Sequence, residues 1–243
     1  NQRQFYTEKI IYLPNSYQPN DNQRTIAQTK TQRSDFGLPD DAFVFCEFNN
    51  TDKIKPSEFH IWMRLLYRVK GSVLWLYRSN KWVEDNLHKE AAAKGIDTKR
   101  IIFADSLPLS EHLARHKHAD LFVDTFFYNA HATASYALWA GLPVVTKVGQ
   151  QFAARVAASL LSAIELPELI TETEDEYEAL IFELATNPGK LEGIKEKLLK
   201  KRRTSPLFDT EQYTRDFEQG LKLAYDRCFN ELEPSDIVVP GKH

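Results

Sequence analysis

Residues 119–148 read ADLFVDTFFYNAHATASYALWAGLPVVTKV, and their pattern predicts the fold class. The apolar run Ala119–Thr125 is typical of a buried strand. Small and apolar residues then indicate a helix over Thr133–Ala140, which ends at Gly141, and Pro143–Val148 indicates a second buried strand. Two apolar strands joined by a helix are the unit of a parallel sheet.

The same alternation continues on both sides of this stretch. Further strands are predicted at Ala42–Phe48, Ser72–Tyr77, Arg100–Ala104 and Glu168–Thr171. Helical patterns occupy the intervals at Pro56–Val69, Lys81–Lys94, Ser110–His116 and Phe152–Ile164. Pro56 suits a first helical turn, and Ser110 and Thr173 suit N-caps. We therefore predict an α/β fold with a Rossmann-like parallel sheet and helices on both faces.

The two ends of the chain differ from this alternating middle. Residues 1–36 are polar and rich in turn formers, with one short strand candidate at Lys9–Leu13. After Thr171 the pattern is helical, with predicted helices at Thr173–Thr186, Pro188–Arg203 and Asp209–Phe229. We predict three parts, which are a connector arm at 1–36, a Rossmann-like lobe at 37–206, and a C-terminal helix and tail at 207–243.

Composition and charge exclude several classes of protein. The 243 residues include 31 Lys and Arg against 34 Asp and Glu, a formal net charge of −3. This balance argues against a nucleic-acid partner, which favours a clustered basic excess. The sequence holds no apolar stretch of about eighteen residues, so we expect no membrane span. Cys46 and Cys228 are too few and too far apart for a disulfide framework or a zinc site, and we expect a cytoplasmic location.

The loops that follow the strands are the places to look for a ligand, because an open parallel sheet binds ligands outside the carboxyl ends of its strands. The first such loop, Asn49–Pro56, has no Gly-x-Gly-x-x-Gly motif, which disfavours a dinucleotide enzyme. Phosphates would then be held by side-chain cations and helix N-termini. Lys53 is the candidate cation of this loop, and the alternative is a solvated surface lysine.

The loop after Ala119–Thr125 carries the second candidate. It places His131 and Thr133 at or near a helix N-terminus, where backbone N–H groups and the helix dipole favour an anion. The alternative is a capping Thr133 with His131 filling a polar gap. Both interpretations fit the position.

The third candidate lies in the predicted helix Ser110–His116. His112 and His116 have the i, i+4 spacing of metal ligands, but no third ligand is apparent, so we expect no metal site. One hypothesis is that His112 and Arg115 lie beside a bound nucleotide. The alternative is that they belong to a solvated basic helix.

Several segments together resemble a known family. They are Phe48–Pro56, Gly71–Leu76, Asn129–His131 with Ala137–Gly141, Arg155–Ser159 and Ser205–Phe208. The chain resembles the catalytic region of the protein O-GlcNAc transferases, glycosyltransferase family 41, which also includes the SPINDLY proteins. The resemblance implies a GT-B architecture, in which two Rossmann-like lobes hold a donor sugar nucleotide between them. It makes this chain the C-terminal, donor-binding lobe and residues 1–36 the interlobe connector.

The resemblance also implies residue roles. Lys53 matches the lysine that neutralises the departing diphosphate, and His131 opens a phosphate-binding run, so both are predicted to be catalytic. The predicted nucleotide-sugar-binding residues are Asn50, Leu107, Leu109, His112, Arg115, His131, Ala132, Thr133 and Tyr136. The implied reaction is inverting transfer of N-acetylglucosamine from UDP-GlcNAc to Ser or Thr hydroxyls. It needs no cofactor or metal, because Lys53 and the helix dipole stabilise the leaving group.

Two residues depart from the family pattern. Ala132 stands where the family has a threonine, and Tyr136 stands where it has an aspartate that binds the ribose. Two alternatives therefore stay open, which are a SPINDLY-like O-fucosyltransferase that uses GDP-fucose and a degenerate, non-catalytic nucleotide-sugar-binding or scaffold module. The expected partners are a UDP-sugar donor and acceptor proteins, with no nucleic acid and no membrane. Acceptors would bind through an N-terminal lobe and tetratricopeptide repeats that have no counterpart in these residues.

Overall fold

The computed structural model describes residues 2–241. Within them, six strands form one parallel sheet in the order β4-β3-β2-β5-β6-β7, and two more strands form a small parallel ribbon. The strands are β1 (Ile11–Tyr12), β2 (Val44–Glu47), β3 (Val73–Tyr77), β4 (Ile101–Ala104), β5 (Leu121–Val123), β6 (Val144–Lys147), β7 (Ile170–Thr171) and β8 (Ile237–Val238). The predicted Rossmann-like sheet is confirmed.

Eight α-helices lie along the same part of the chain. They are α1 (Pro56–Arg68), α2 (Lys81–Ala93), α3 (Leu109–Arg115), α4 (Ala132–Ala140), α5 (Val156–Ala163), α6 (Glu174–Thr186), α7 (Pro188–Lys201) and α8 (Thr210–Phe229). Among residues 2–241, none of these helices has both the length and the apolar character needed to cross a membrane.

Two predicted helix starts have different outcomes. Thr173 is an N-cap as predicted, since its hydroxyl accepts the N–H of Glu176 at 3.1 Å and the Glu176 carboxylate accepts the N–H of Thr173 at 3.2 Å. The N-cap prediction for Ser110 is wrong. Pro108 occupies that position with an extended ψ of 145°, so α3 starts at Leu109 and Ser110 lies inside its first turn.

The centre of the sheet brings together the two loops that carry Lys53 and His131. After β4 the chain crosses back over β2 and β3 to add β5 on the other side of β2, so the strand order reverses between β2 and β5. The register pairs Phe45 with Leu121 and Cys46 with Phe122, and all four residues are buried. In open α/β sheets this reversal opens the crevice in which ligands bind. The loops after β2 and β5 are therefore neighbours.

Helix α6 is fastened to this centre by a buried tyrosine. The hydroxyl of Tyr177 accepts a hydrogen bond from Trp62 Nε1 on α1 at 3.1 Å and donates one to the carbonyl oxygen of Asp124 at 2.9 Å. Tyr177 and Trp62 are both fully buried. One hydroxyl thus joins α6, α1 and the end of β5.

The polar arm before β2 packs on the lobe. Trp139 Nε1 on α4 donates to the carbonyl oxygen of Arg24 at 3.0 Å, and Ser135 Oγ donates to Asn20 Oδ1 at 2.5 Å. Farther along the arm, Thr31 bonds His118 at 2.9 Å. The arm therefore lies across α4 and the end of α3. The division into 1–36, 37–206 and 207–243 stays a prediction, and residues 1, 242 and 243 of it lie outside the described residues.

The ribbon of β1 and β8 closes the chain on itself. Ile11 pairs with Ile237, and Arg3 bonds Asp236 through both carboxylate oxygens. Helix α8 passes directly under the ribbon at Gly220, where a Cβ atom would come within 2.7 Å of Ile11 Cγ2 and 3.2 Å of Val239 Cγ2. Only glycine permits this approach. The short strand predicted within Lys9–Leu13 is confirmed as β1, whereas β8 is an addition to the predicted tail.

We expect Tyr177→Phe to lower the free energy of unfolding by about 1–3 kcal/mol, because it leaves Trp62 Nε1 and the Asp124 carbonyl without a partner in a buried place. Urea unfolding followed by fluorescence measures the change. The control is Tyr67→Phe, whose ring is 63% exposed and which we expect to stay within about 0.5 kcal/mol of the parent. Equal effects of the two substitutions would contradict the bridging role of Tyr177.

Candidate functional site

The loops after β2 and β5 meet at Lys53. This lysine closes a short 3-10 turn, Thr51–Lys53, whose preceding residue Asn50 is exposed and accepts the Lys53 backbone N–H at 3.1 Å. The ammonium nitrogen of Lys53 lies 3.2 Å from the carbonyl oxygen of Asn129 and 4.1 Å from the ring centroid of Tyr128. The structure thus brings the predicted cation against the predicted phosphate-binding loop.

The loop after β5 takes its shape from Asp124. One carboxylate oxygen of this fully buried residue accepts the backbone N–H groups of Thr125 at 2.9 Å and Ala130 at 2.6 Å. The other accepts the hydroxyl of Thr146 on β6 at 2.6 Å. Asn129 Nδ2 also donates to the carbonyl oxygen of Thr125 at 2.7 Å. No role was predicted for Asp124 from the sequence. Its position directly after a buried strand could have indicated one, because such residues face the ligand-binding edge of the sheet.

Lys53 lies in a partly buried and acidic environment. Burial is the largest influence on the pKa of Lys53 and lowers it. The nearby carboxyl groups of Asp124, Glu47 and Asp52 oppose this change, and the pKa stays below its usual value. Burial also raises the pKa of Asp124 to about 7 and that of Glu47 to about 8. The hydrogen bonds to Asp124 oppose this rise. A half-buried ammonium group beside acidic groups is suited to pairing with an anion.

His131 is the N-cap of α4 and is held by contacts on several sides. Its Nε2 lies 3.2 Å from the carbonyl oxygen of Ala153, and its Nδ1 lies 3.2 Å from the hydroxyl of Tyr17. Because a carbonyl only accepts, Nε2 carries the proton and Nδ1 accepts from Tyr17. The ring stacks on Tyr128 at 4.7 Å, and burial and the Lys53 charge lower the His131 pKa below its usual value, while the hydrogen bond with Ala153 opposes them. His131 is therefore a neutral, oriented imidazole at neutral pH.

Ala132 and Thr133 form the first turn of α4 directly after His131. The first backbone N–H groups of a helix have no partner inside it and carry the positive end of the dipole. Ala132 is exposed and Thr133 is half-buried, so this end of the helix is open. Lys53 and the N-terminus of α4 thus place a cation and unpaired backbone N–H groups at the same edge of the sheet, an arrangement of the kind that suits an anion.

A second group of predicted residues lies around α3. Leu107 is half-buried, Leu109 is 45% exposed, and His112 packs edge-on against His116 at 4.8 Å and Tyr136 at 6.3 Å. Burial, with the neighbouring cations, lowers the pKa of His112 to about 3. Within residues 2–241, no three His, Cys, Asp or Glu side chains come together as metal ligands.

Arg115 lies beneath this group. Its side chain is 1% exposed, its guanidinium carbon is 4.6 Å from the ring centroid of Phe48, and Nη1 donates to the carbonyl oxygen of Asp105 at 2.5 Å. Leu107, Leu109, His112 and Tyr136 are thus at least partly exposed, and Arg115 is buried in the layer beneath them. The position of Arg115 in the last turn of α3 does not indicate from the sequence that its side chain is buried.

Tyr136 is covered by a residue that our sequence analysis missed. The guanidinium carbon of Arg24 lies 4.8 Å from the ring centroid of Tyr136, and Arg24 Nη1 donates to Ser135 Oγ at 3.4 Å. A cation over a tyrosine face is attractive. The polar arm carries no local pattern that predicts this contact with α4.

Comparison with known proteins gives the family. The family model described as Glycosyl transferase family 41 matches residues 15–217. The chain belongs to glycosyl transferase family 41. The matched range contains β2 to β7, the Lys53 loop and the N-terminus of α4, so the site described above lies inside the family match.

Named relatives agree with this assignment. The chain is 39% identical over 240 residues to an Arabidopsis thaliana protein named probable UDP-N-acetylglucosamine–peptide N-acetylglucosaminyltransferase SEC, a match that covers 96% of this chain and 25% of the relative. It is 38% identical over 197 residues to the Caenorhabditis elegans UDP-N-acetylglucosamine–peptide N-acetylglucosaminyltransferase, covering 81% of this chain and 17% of the relative. The chain therefore spans a quarter or less of the length of these relatives.

A solved structure has the same fold. The K341M mutant of the Thermobaculum terrenum O-GlcNAc transferase aligns with a TM-score of 0.80 at 26% identity, over 94% of this chain and 42% of that one. The predicted fold class, a Rossmann-like lobe of the GT-B kind, is confirmed.

We expect Tyr17→Phe to remove the hydrogen bond to His131 Nδ1 and to move the Nδ1 signal in ¹⁵N NMR spectra of the imidazole toward that of a free acceptor. The control is Tyr12→Phe, because Tyr12 is exposed to the same degree, 42% against 41% for Tyr17. An unchanged His131 signal in Tyr17→Phe would show that the tyrosine does not orient the ring.

Proposed function

We propose that this chain is the donor-binding lobe of an inverting protein O-glycosyltransferase that transfers N-acetylglucosamine from UDP-GlcNAc to Ser or Thr hydroxyls. The observation that carries the proposal is the convergence of the Lys53 ammonium, 3.2 Å from the Asn129 carbonyl oxygen, with the open N-terminus of α4. The names of the Arabidopsis and Caenorhabditis relatives support the choice of donor.

Each site residue has a role in the proposed reaction. The acceptor hydroxyl oxygen attacks the anomeric carbon and gives its proton to a general base, which this proposal assigns to the N-terminal lobe. The bond between the anomeric carbon and the diphosphate oxygen breaks, and UDP leaves with the bonding electrons. Lys53 and the first N–H groups of α4 stabilise the charge that develops on the diphosphate. His131, held by Tyr17 and Ala153, orients the phosphate-binding turn. Protein side chains thus supply the positive charge in this proposal, without a metal or cofactor.

The base and ribose would lie on the second group of residues. Leu107, Leu109, His112 and Tyr136 offer an apolar and aromatic surface, and Asn50 stands at the start of the Lys53 turn. Since the chain spans a quarter or less of its relatives, the acceptor site belongs in this proposal to an N-terminal lobe with tetratricopeptide repeats. The cytoplasmic location also stays a prediction.

A second candidate function is a non-catalytic binding or scaffold module. Two observations favour it, namely the methyl group of Ala132 at the helix N-terminus and the coverage of Tyr136 by Arg24. Both lie where donor contacts are expected. This candidate predicts no saturable binding of a nucleoside diphosphate.

We expect Lys53→Ala to weaken UDP binding by at least tenfold, because a hydrogen bond to a charged group contributes about 1.5–3 kcal/mol. Isothermal titration calorimetry of this chain with UDP measures the effect. The matched control is Lys55→Ala, an exposed lysine of the same loop whose ammonium bonds the Asp52 carbonyl, and it should bind UDP like the parent.

The same titration with GDP separates the candidates. Saturable binding of UDP but not GDP supports the UDP-GlcNAc donor, and a preference for GDP supports a GDP-fucose donor instead. No heat with either nucleotide contradicts the proposed donor site and favours the non-catalytic module.

We expect Tyr136→Asp to strengthen UDP binding by about tenfold to hundredfold, because it restores a charged acceptor for the ribose hydroxyls and a charged hydrogen bond contributes about 1.5–3 kcal/mol. Calorimetry measures the gain, with Tyr225→Asp, an exposed position on α8, as the control for added negative charge. No gain over that control would show that the ribose does not lie on Tyr136.

A further inference from the structure

The carboxyl group of Glu47 has no role in the reaction proposed above. Glu47 ends β2 and is fully buried. Its Oε1 accepts the backbone N–H of Asn49 at 2.7 Å, but its Oε2 is buried without a hydrogen-bond partner among residues 2–241. A bare carboxylate oxygen in the interior is costly, so this atom needs a physical explanation.

A comparison with Asp124 gives that explanation. Both carboxyl groups are buried, but Asp124 accepts three hydrogen bonds and Glu47 accepts one. Hydrogen bonds from N–H and O–H donors stabilise the ionised form, and burial without them stabilises the neutral form. Asp124 is therefore the carboxylate of this pair, and Glu47 is the group that keeps its proton.

Glu47 is linked to Lys53 through one residue. Asn49 bonds Glu47 with its backbone N–H, and its side-chain Oδ1 lies 3.5 Å from the Lys53 ammonium nitrogen. While Glu47 is neutral, Asp124 is the one of these two buried carboxyl groups that carries a negative charge next to Lys53. The ammonium group can then pair with an incoming anion. A second buried carboxylate would hold Lys53 inward and compete with that anion.

We propose that Glu47 is a positioning residue that keeps Lys53 available to the donor diphosphate by remaining protonated, and that its ionisation in alkaline solution withdraws Lys53 and weakens donor binding. The inference rests on the proposed function, since it concerns the lysine that is assigned there to the diphosphate.

The groups that face Glu47 from each neighbouring element fit this role. Burial raises the pKa of Glu47 to about 8, and Asp124 adds to the rise. Asn49, through both its backbone and its side chain, and the charge of Lys53 oppose it. Cys46 on β2 and Tyr177 on α6 are buried, and burial raises the pKa of each well above its usual value. Asp124, whose pKa is about 7, also gains charge between pH 7 and pH 8.5, so the comparison of the parent with Glu47→Gln isolates the part of the pH dependence that belongs to Glu47.

Calorimetric titration with UDP at pH 7.0 and pH 8.5 tests the effect on binding. If ionised Glu47 excludes the nucleotide, a pKa of about 8 makes parent binding about fourfold weaker at the higher pH. Glu47→Gln, which is isosteric but does not ionise, should change by less than twofold over the same range. Asp52→Asn is the control, because it removes an exposed carboxylate that also faces Lys53, and it should keep the fourfold change.

Urea unfolding tests the proton on Glu47 without any nucleotide. A carboxyl group whose pKa rises from 4.5 in the unfolded chain to about 8 in the fold binds more protons when folded, so stability falls as pH rises between those values. From pH 5.5 to 7.5, Glu47 alone should raise the unfolding equilibrium constant about tenfold per pH unit, and Glu47→Gln should remove that contribution.

The two measurements separate failure of this inference from failure of the proposed function. Equal pH slopes of unfolding in the parent and Glu47→Gln would show that Glu47 is ionised in the fold and would overturn the inference. Equal pH dependence of UDP binding in the two proteins would overturn it as well. Absence of UDP binding in the parent would contradict the proposed donor site, and the unfolding slopes would still decide whether Glu47 holds its proton.

Discussion

The hydrogen bonds collected by the buried Asp124 carboxylate are the interaction on which the site depends. They join the end of β5, the backbone at Ala130 and the hydroxyl of Thr146 on β6. The carbonyl oxygen of the same residue receives Tyr177 from α6. The loop that presents the N-terminus of α4 is thereby built as part of the core, and it needs no ligand to take its shape.

The sequence predicted the layers of the fold and the strand-end positions of Lys53 and His131, because these depend on local patterns. Buried strands are apolar runs, and Lys53 and His131 follow two of them, so their meeting at one edge follows from parallel topology. Tyr177 and Arg24 act through distant segments, and no local pattern predicts such contacts. Arg115 shows the same limit, since a short helix does not reveal which of its faces is covered.

Charge is arranged in layers around the crevice. Carboxyl groups lie deepest, the Lys53 ammonium lies above them, and the aromatic rings of Tyr17, Tyr128 and His131 surround the opening. Burial lowers the pKa of Lys53 and the nearby carboxyl groups raise it, so these groups together set the charge of the amine. The donor site that we propose has no glycine-rich loop, so it depends on side-chain charge where few backbone N–H groups are available.

The ribbon of β1 and β8 has a consequence for the order of folding. It joins segments whose separation is nearly the whole chain, as the bond from the Ile10 N–H to the Asp236 carboxylate, 226 residues away, illustrates. Closing so large a loop costs conformational entropy, and it is offset by two paired residues on each side and by the bonds of Asp236 to Arg3 and Ile10. We therefore expect the ribbon to form after the sheet and α8 have brought its strands together, because the closed loop is then already short in effect.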